Sequence, residues 1–282
     1  MRKYMSIMLI LVILATNGIT IGAADNNFPP NMPMKIDIKK MADMVKHVDY
    51  DKIRDEKQED FERIVEDWTS GVGRVDYVYY GKLNATTNKA SRYRVPITTS
   101  TSSSCYAKFG KWSITPVNYV INPTSSQGLS SGSITSSISS AAETWDSAVS
   151  RNLFGNAYGT NNNMHSGTYD GSNVIDFGPY SSANVIAVTS IWYNTWTKQI
   201  YEFDMRFNEA FAWGDVATNS NPTLMDIRDI ATHELGHSVG LKDLYSSTCS
   251  QATMYGYASY RETKKSTLET GDINGIRQIY GR

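Results

Sequence analysis

The sequence predicts an α+β fold, because two helical patterns enclose a run of three strand patterns. Apolar residues recur at helical spacing over 133–149, after a short strand pattern at Val117–Ile121. The strand patterns that follow are rich in β-branched and aromatic residues. They cover Val174–Phe177, Val185–Trp192 and Ile200–Phe207. Asn221 and Pro222 then open a second predicted helix over 226–239.

The composition is that of a globular protein. The 282 residues are 40% hydrophobic and 20% charged, which supplies enough apolar material for a sizeable core in one or two domains. The formal net charge of −1 gives no electrostatic reason to expect nucleic acid or an anionic membrane surface as a partner. We expect the chain to act as a monomer.

The first residues have the pattern of a secretory signal peptide. Arg2 and Lys3 precede an apolar run over 5–14, and small residues at 22–24 provide a cleavage site. Removal of residues 1–24 would make the protein secreted and extracellular. The alternative is an uncleaved anchor, because the apolar run continues beyond this range and approaches the length that spans a bilayer. Membrane association is expected only in that case.

Residues 25–104 differ in character from the rest of the chain. Apolar residues at helical spacing over 35–68 predict one or two charged amphipathic helices. Val75–Tyr80 alternates like a strand, and Ile97–Ser104 is a polar linker. We interpret this mainly helical segment as a pro-region that assists folding or covers a cleft. The alternative is an accessory domain that the mature protein keeps.

A short segment in the last quarter of the chain places two imidazoles and two carboxylates at the spacing of a zinc hydrolase site. On a helix, His233 and His237 project from nearly one face. Glu234 lies beside them, within reach of a metal-bound water. Gly240 can end the helix in a left-handed conformation, so that Asp243 returns as a third ligand and water takes the fourth position. The alternatives are a solvated helix face and an ordinary loop aspartate.

The spacing HExxHxxGxxD, followed by Met254, resembles that of the metzincin zinc metalloproteases, and most closely that of their matrixin branch. In this chain Asp243 stands where the usual metzincin pattern has a third histidine. The resemblance covers 105–282 and implies a metzincin-type catalytic domain with a twisted mixed sheet, an active-site helix and a C-terminal helix over 268–281. It also implies that Met254 lies beneath the zinc as a hydrophobic base.

By the same resemblance, the protein would be a secreted zinc-dependent endopeptidase made as a zymogen, with one catalytic Zn²⁺ held by His233, His237 and Asp243. Glu234 would act as the general base toward the metal-bound water. A protein or peptide substrate would bind in extended form along Val185–Trp192 as an edge strand, although alternation alone leaves an internal strand open. The alternative function is a non-catalytic secreted protein that binds zinc or a surface.

Cys105 and Cys249 are the only cysteines of a chain that we expect to be exported. A single disulfide between them is our preferred interpretation, because disulfides persist in oxidising compartments. The alternative is that Cys105 is a latency thiolate at the fourth zinc position. The residues around Cys105 do not match the Pro-Arg-Cys-Gly motif that carries this role in matrixins.

The sequence gives weaker indications of further metals. His47 and His165 are the only histidines outside the motif, so the set needed for a second, structural zinc site is absent. His165 is interpreted as an exposed loop residue. Ca²⁺ could be held by carboxylates in and after the last strand, but we assign no calcium site. These carboxylates are Asp204, Glu209 and Asp215.

Overall fold

The computed structural model describes residues 62–67, 70–81, 102–155 and 159–282 of the chain. The strands are β1 Glu62–Asp67, β2 Val72–Gly81, β3 Lys111–Trp112, β4 Val120–Ile121, β5 Gly159–Thr160, β6 Val174–Gly178, β7 Val185–Asn194, β8 Gln199–Asn208, β9 Ala212–Gly214, β10 Leu224–Asp226 and β11 Tyr257–Ala258. The helices are α1 Ser131–Asp146, α2 Ile227–Ser238 and α3 Thr270–Tyr280, with short 3-10 helices at Ser247–Cys249 and Lys264–Ser266.

A mixed sheet runs through this part of the chain. Its order is β1-β2-β7-β8-β6-β4-β5, with β3 beside β8 and β11 beside β2. β4, β6 and β8 are parallel, whereas β7 is antiparallel to both β8 and β2. The combination of helices and a mixed sheet confirms the predicted α+β class. β6, β7 and β8 confirm the three predicted strands.

The two helices predicted over 133–149 and 226–239 pack on each other. α1 buries the apolar residues of its predicted face, including Ile134, Ile138 and Trp145. The Trp145 indole donates a hydrogen bond of 2.7 Å to the carbonyl oxygen of Thr232 in α2. α1 therefore fixes the position of the helix that carries the two histidines.

Within the described residues, none of the helices is both long and apolar enough to cross a bilayer.

β1 corrects part of the predicted helical segment. The helical pattern over 35–68 is wrong at Glu62–Asp67, which forms a strand antiparallel to β2. Gly71 has a φ of +72°, and this left-handed conformation permits the tight reversal between the two strands. Pairing with β2 satisfies the backbone groups on one side of β1, and local periodicity does not report such pairing. The rest of that helical segment and the predicted signal peptide lie outside the described residues.

β7 corrects the expected substrate edge. Val185–Trp192 was expected to form an edge strand, but β7 lies between β8 and β2. All of β7 except Asn194 is buried as a result. The expectation is wrong because β2 pairs with the side of β7 that was expected to be free. β2 comes from residues ahead of the predicted catalytic domain, so the pattern of β7 itself does not indicate this pairing. The strand-like alternation of Val75–Tyr80 is confirmed, and that strand covers the edge of β7.

A disulfide joins Cys105 to Cys249, with the two Cα atoms 5.5 Å apart. The bond ties the segment that precedes β3 to a 3-10 turn that lies 144 residues further along the chain. Cys105 is therefore engaged in the predicted pairing. The alternative of a latency thiolate at the metal is wrong for this structure.

Candidate active site

The helix α2 carries both histidines on one face. It begins after Asp226, whose carboxylate accepts the backbone N–H of Asp229 at 3.0 Å and so satisfies one free N–H of the first turn. His233 and His237 follow one turn apart, and both side chains are buried. Their Nε2 atoms lie 3.2 Å apart. The structure thus brings the two imidazoles together as the spacing predicts.

Gly240 turns the chain from α2 toward the third predicted ligand. It has a φ of +99°, and a Cβ added to it would lie 2.1 Å from the carbonyl oxygen of Gly110. A residue with a side chain would therefore meet both backbone strain and a steric clash. The turn brings Asp243 back to α2, with its Oδ1 atom 3.1 Å from His233 Nε2 and 3.5 Å from His237 Nε2.

Hydrogen bonds at Nδ1 fix the tautomers of the two imidazoles. His233 Nδ1 lies 2.7 Å from the carbonyl oxygen of Thr253, and His237 Nδ1 lies 2.9 Å from that of Leu241. A carbonyl oxygen only accepts, so each Nδ1 carries the proton and donates it. Burial lowers the pKa of His233 to about 4, which keeps its imidazole neutral. Burial would lower the pKa of His237, but the neighbouring Asp243 carboxylate raises it overall, so His237 Nε2 favours a bound cation, either a proton or a metal ion.

The converging atoms require a cation between them. Burial alone would raise the pKa of Asp243, but the neighbouring imidazoles lower it well below its usual range. The site thus places an ionised carboxylate beside the Nε2 atoms of two imidazoles, and all three side chains are buried. Such acceptors repel one another unless a metal or proton lies among them.

The spacing of the three ligand atoms fits zinc. Zinc bonds to histidine nitrogen and carboxylate oxygen are about 2.0–2.2 Å long, so tetrahedral ligand atoms lie about 3.3–3.5 Å from each other. The separations among His233 Nε2, His237 Nε2 and Asp243 Oδ1 are 3.1, 3.2 and 3.5 Å. Two neutral imidazoles and one carboxylate are also a donor set that zinc hydrolases use.

Glu234 projects beside this ligand set and is fully buried. Its Oε2 atom accepts a hydrogen bond of 2.5 Å from the hydroxyl of Thr189 on β7. Its Oε1 atom has no hydrogen-bond partner among the described residues. Burial raises the pKa of Glu234 to about 7, against the opposing effects of His237 and Thr189. One oxygen is thus held in place and the other is available to a proton.

The loop that contains Met254 lies directly against α2. A Cβ on Gly236 would lie 2.3 Å from the Met254 sulfur, so a glycine is needed for this close approach. Asp272 at the start of α3 holds the loop, because its carboxylate accepts the N–H of Thr253 at 2.8 Å and that of Met254 at 3.2 Å. The carbonyl of Thr253 in turn orients His233. Asp272 therefore supports a ligand that it does not contact.

Two tyrosines of β2 cover the histidines. Tyr77 stacks on His237 with ring centroids 4.1 Å apart and planes 4° from parallel. Tyr79 stacks on His233 at 3.9 Å and 9°. The Tyr79 hydroxyl contacts the buried ammonium of Lys265. Sequence reasoning assigned none of these residues to the site; the alternation of tyrosines in Val75–Tyr80 was the one available signal, and it indicated only a strand.

Thr189, Asp272 and Lys265 carried no sequence signal at all. Each acts through a contact between elements that are distant in the chain, so neither periodicity nor a motif distinguishes it. Thr189 sits in an apolar strand, and Asp272 resembles an ordinary acid in the first turn of a helix. Lys265 resembles a solvated surface charge, although it is buried in the structure.

The remaining predicted metal candidates do not join the site. His165 is exposed and lies 3.4 Å from Asp176, which pairs with Arg206 at 2.7 Å. The calcium candidates are engaged separately with nearby backbone N–H groups. These contacts are Asp204 with Gly167, Thr168 and Val174, Glu209 with Ser126, and Asp215 with Ala217. Among the described residues, one metal-compatible group of three is found, formed by His233, His237 and Asp243.

Comparisons with known proteins agree with this geometry. The sequence is 37% identical to neutrophil collagenase of Homo sapiens over 78 residues, which are 28% of this chain and 15% of the collagenase. It is 33% identical to matrilysin of Felis catus over 79 residues, 28% of either chain. Metalloendoproteinase 1 of Glycine max is 39% identical over 70 residues, 25% of this chain and 22% of the relative. These matches span less than two thirds of each relative.

A family model described as matrixin, of the M10 peptidases, matches residues 111–281. That range contains the helix α2, the loop with Met254 and the whole of α3. It is more than half of the chain, and it excludes β1 and β2. Because the match covers the site and the surrounding fold, this protein belongs to the matrixin family of metzincin metallopeptidases.

Proposed function

We propose that the protein is a secreted zinc-dependent endopeptidase, with His233, His237 and Asp243 as ligands of one catalytic zinc and Glu234 as general base. The family supports a zinc metallopeptidase that acts on proteins or peptides. The observation that carries the assignment of residues is the convergence of two imidazole Nε2 atoms and a buried carboxylate at 3.1–3.5 Å.

The residues divide the proposed reaction between them. A zinc ion bound by the three ligands would lower the pKa of a coordinated water and polarise the scissile carbonyl. Glu234 accepts the proton of that water at Oε1, the oxygen that Thr189 leaves without a hydrogen bond. It then donates the proton to the nitrogen of the departing amine. The hydrogen bonds from Nδ1 to Thr253 and Leu241 keep the imidazoles oriented through both steps.

We further propose that residues 1–24 are a signal peptide, that 25–104 is a pro-region, and that 105–282 is the catalytic domain. Support for a pro-region comes from β2, whose tyrosines cover both histidines and leave them at most 1% exposed. Cleavage in the linker ahead of Cys105 would release β1 and β2 from the sheet. The edge of β7 would then become available to an extended substrate, as the sequence predicts.

The test combines processing, metal content and activity. The secreted protein is purified, its N-terminus is sequenced, and zinc content is measured together with chelator-sensitive cleavage of casein. We expect one equivalent of zinc, a mature N-terminus near residue 105, and cleavage that Glu234→Gln abolishes without loss of zinc. Zinc at one equivalent without cleavage by the processed form would contradict the endopeptidase and favour a non-catalytic zinc-binding protein.

A further inference from the structure

β2 lies against the proposed active site in the arrangement of a bound peptide. It pairs antiparallel with β7 on one side; on the other side it pairs antiparallel with β1 over Val72–Tyr77 and parallel with β11 at Tyr80 and Gly81. An extended peptide held by main-chain hydrogen bonds on both sides takes its specificity from the pockets beneath its side chains. The side chains of β2 therefore report which chemistry this groove accepts.

Tyr79 fills the pocket nearest to the ligands. Its side chain is 1% exposed, and its ring stacks on His233 while Tyr77 stacks on His237. The two peptide bonds between these tyrosines consequently run past the ligand set. A substrate in the same path would place the Tyr79 position on the carboxyl side of the cleaved bond.

Lys265 forms the base of this pocket. Its ammonium donates to the carbonyl oxygens of Tyr255 at 2.7 Å and Tyr257 at 2.6 Å, both in the segment that leads into β11. The ammonium donates its third hydrogen bond to the hydroxyl oxygen of Tyr79. Lys265 is 0% exposed, so an occupant without an acceptor at this point would leave one N–H of a buried charge unsatisfied.

The charges around Lys265 keep it in place for this role. Glu262 lies 3.6 Å from the ammonium, and Asp229 accepts the backbone N–H of Lys265 at 2.6 Å. The ammonium also lies 4.7 Å from the centroid of the Tyr79 ring. At this position the ammonium lies beyond the hydroxyl end of the ring rather than over its face, so it is the phenol hydroxyl that satisfies the pocket.

We propose that Lys265 is a specificity-determining residue and that the enzyme prefers peptides with a tyrosine immediately after the cleaved bond. This inference rests on the proposed endopeptidase function. A phenylalanine fills the same space and stacks equally well on His233, but it removes the third acceptor, and Glu262 Oε1 at 3.6 Å lies beyond hydrogen-bond distance of the ammonium. Sites built to bond a hydroxyl reject the analogue that lacks it.

The test uses pairs of fluorogenic peptides that differ only in tyrosine or phenylalanine at this position, with the processed enzyme. We expect kcat/KM to favour tyrosine by about 10- to 100-fold, the range that one unsatisfied buried donor implies. Lys265→Met should bring the ratio of the two kcat/KM values close to one. We expect this mainly because kcat/KM for the phenylalanine peptide rises relative to that for the tyrosine peptide. Lys108→Met is the control, because the exposed Lys108 ammonium donates to Gln278 of α3 at 3.2 Å and the tyrosine preference should persist.

Equal rates for the two peptides with the unmodified enzyme would overturn the inference, and this comparison requires no variant to fold. A ratio that survives in Lys265→Met would also overturn it, since Lys265 would then only support the wall of the pocket. If neither peptide is cleaved, the affinity of zinc-loaded Glu234→Gln for both peptides is measured by calorimetry. Tighter binding of the tyrosine peptide would retain the pocket assignment while the endopeptidase proposal fails, and equal affinities would reject both.

Discussion

At the scale of single residues, Thr189 orients Glu234, although no sequence motif marks it as part of the site. Its hydroxyl fixes one oxygen of Glu234, and the backbone of β7 holds Thr189 in turn. A rotating carboxylate would present its proton-accepting oxygen to the water for only part of the time. We therefore regard Thr189 as a positioning residue for Glu234, the proposed general base.

Replacement of this hydroxyl should affect turnover more than binding. We expect Thr189→Val to lower kcat by about 10-fold, the usual effect of losing a partner that orients a catalytic group, with KM and zinc content little changed. Thr189→Ser keeps the hydroxyl and serves as control. The measurement is steady-state kinetics on one peptide, with zinc determined in parallel. An unchanged kcat in Thr189→Val would contradict the positioning role.

The two tyrosines on the histidines offer a matched comparison in the full-length chain. Tyr79 bonds Lys265, whereas the buried hydroxyl of Tyr77 has no hydrogen-bond partner among the described residues. We expect Tyr79→Phe to lower the free energy of unfolding by about 1–3 kcal/mol and Tyr77→Phe to leave it nearly unchanged. Urea denaturation of the unprocessed protein measures both. Equal effects of the two substitutions would show that the Tyr79 hydroxyl contributes nothing specific.

At the scale of elements, α3 supports the metal site from a distance. Its Asp272 accepts three backbone N–H groups, those of Thr253, Met254 and Glu269. The first two belong to the loop whose carbonyl orients His233. The C-terminal helix is therefore connected to a ligand through one carboxylate and one peptide unit.

Loss of this carboxylate should weaken both the fold and the site. We expect Asp272→Ala to lower the free energy of unfolding by about 2–4 kcal/mol, because buried N–H groups lose their acceptor. Zinc affinity should fall by about 10-fold as the orientation of His233 relaxes. Chemical denaturation and competition with a chromogenic chelator measure the two effects. Stability lost at constant zinc affinity would limit Asp272 to a structural role.

The elements also explain which parts of the fold could be predicted. α1, α2 and β6 to β8 could be predicted because the signal lies in their own residues. The helices show helical spacing or helix-start residues, and the strands are rich in β-branched and aromatic residues. β1 owes its conformation to pairing with β2, and the helical spacing of its apolar residues was misleading. β7 has the same sequence whether it lies at an edge or inside the sheet. The convergence of His233 and His237 was predictable because helix geometry fixes their spacing, whereas that of Asp243 also needed the left-handed turn at Gly240.

At the scale of the whole molecule, the disulfide connects the segment just ahead of the matrixin-matched region to a turn within that region. Cys105 precedes β3, and Cys249 lies between Asp243 and Met254, close to the ligand loop in sequence. The bond restrains a loop of 144 residues in the unfolded chain. It also holds the segment that would become the new N-terminus after cleavage in the linker.

Removal of the disulfide should lower stability without removing the metal site. We expect the double variant Cys105→Ser and Cys249→Ser to lose about 4–5 kcal/mol of unfolding free energy, the amount that chain entropy assigns to a loop of this length. Calorimetry of the processed enzyme measures the change, with the reduced unmodified protein as control. Identical Tm values for the double variant and the oxidised protein would contradict this account.

The covering of β7 by β2 has a kinetic consequence for activation. If residues 25–104 are a pro-region as proposed, β2 would compete with an incoming peptide as part of the same molecule while the linker is intact, at an effective concentration in the millimolar range. After the linker was cut, the same strand would be an ordinary competitor whose occupancy falls with dilution. Scission and release would thus be separate events, and a concentrated preparation of the cut enzyme would remain partly self-inhibited until its own fragment diffused away.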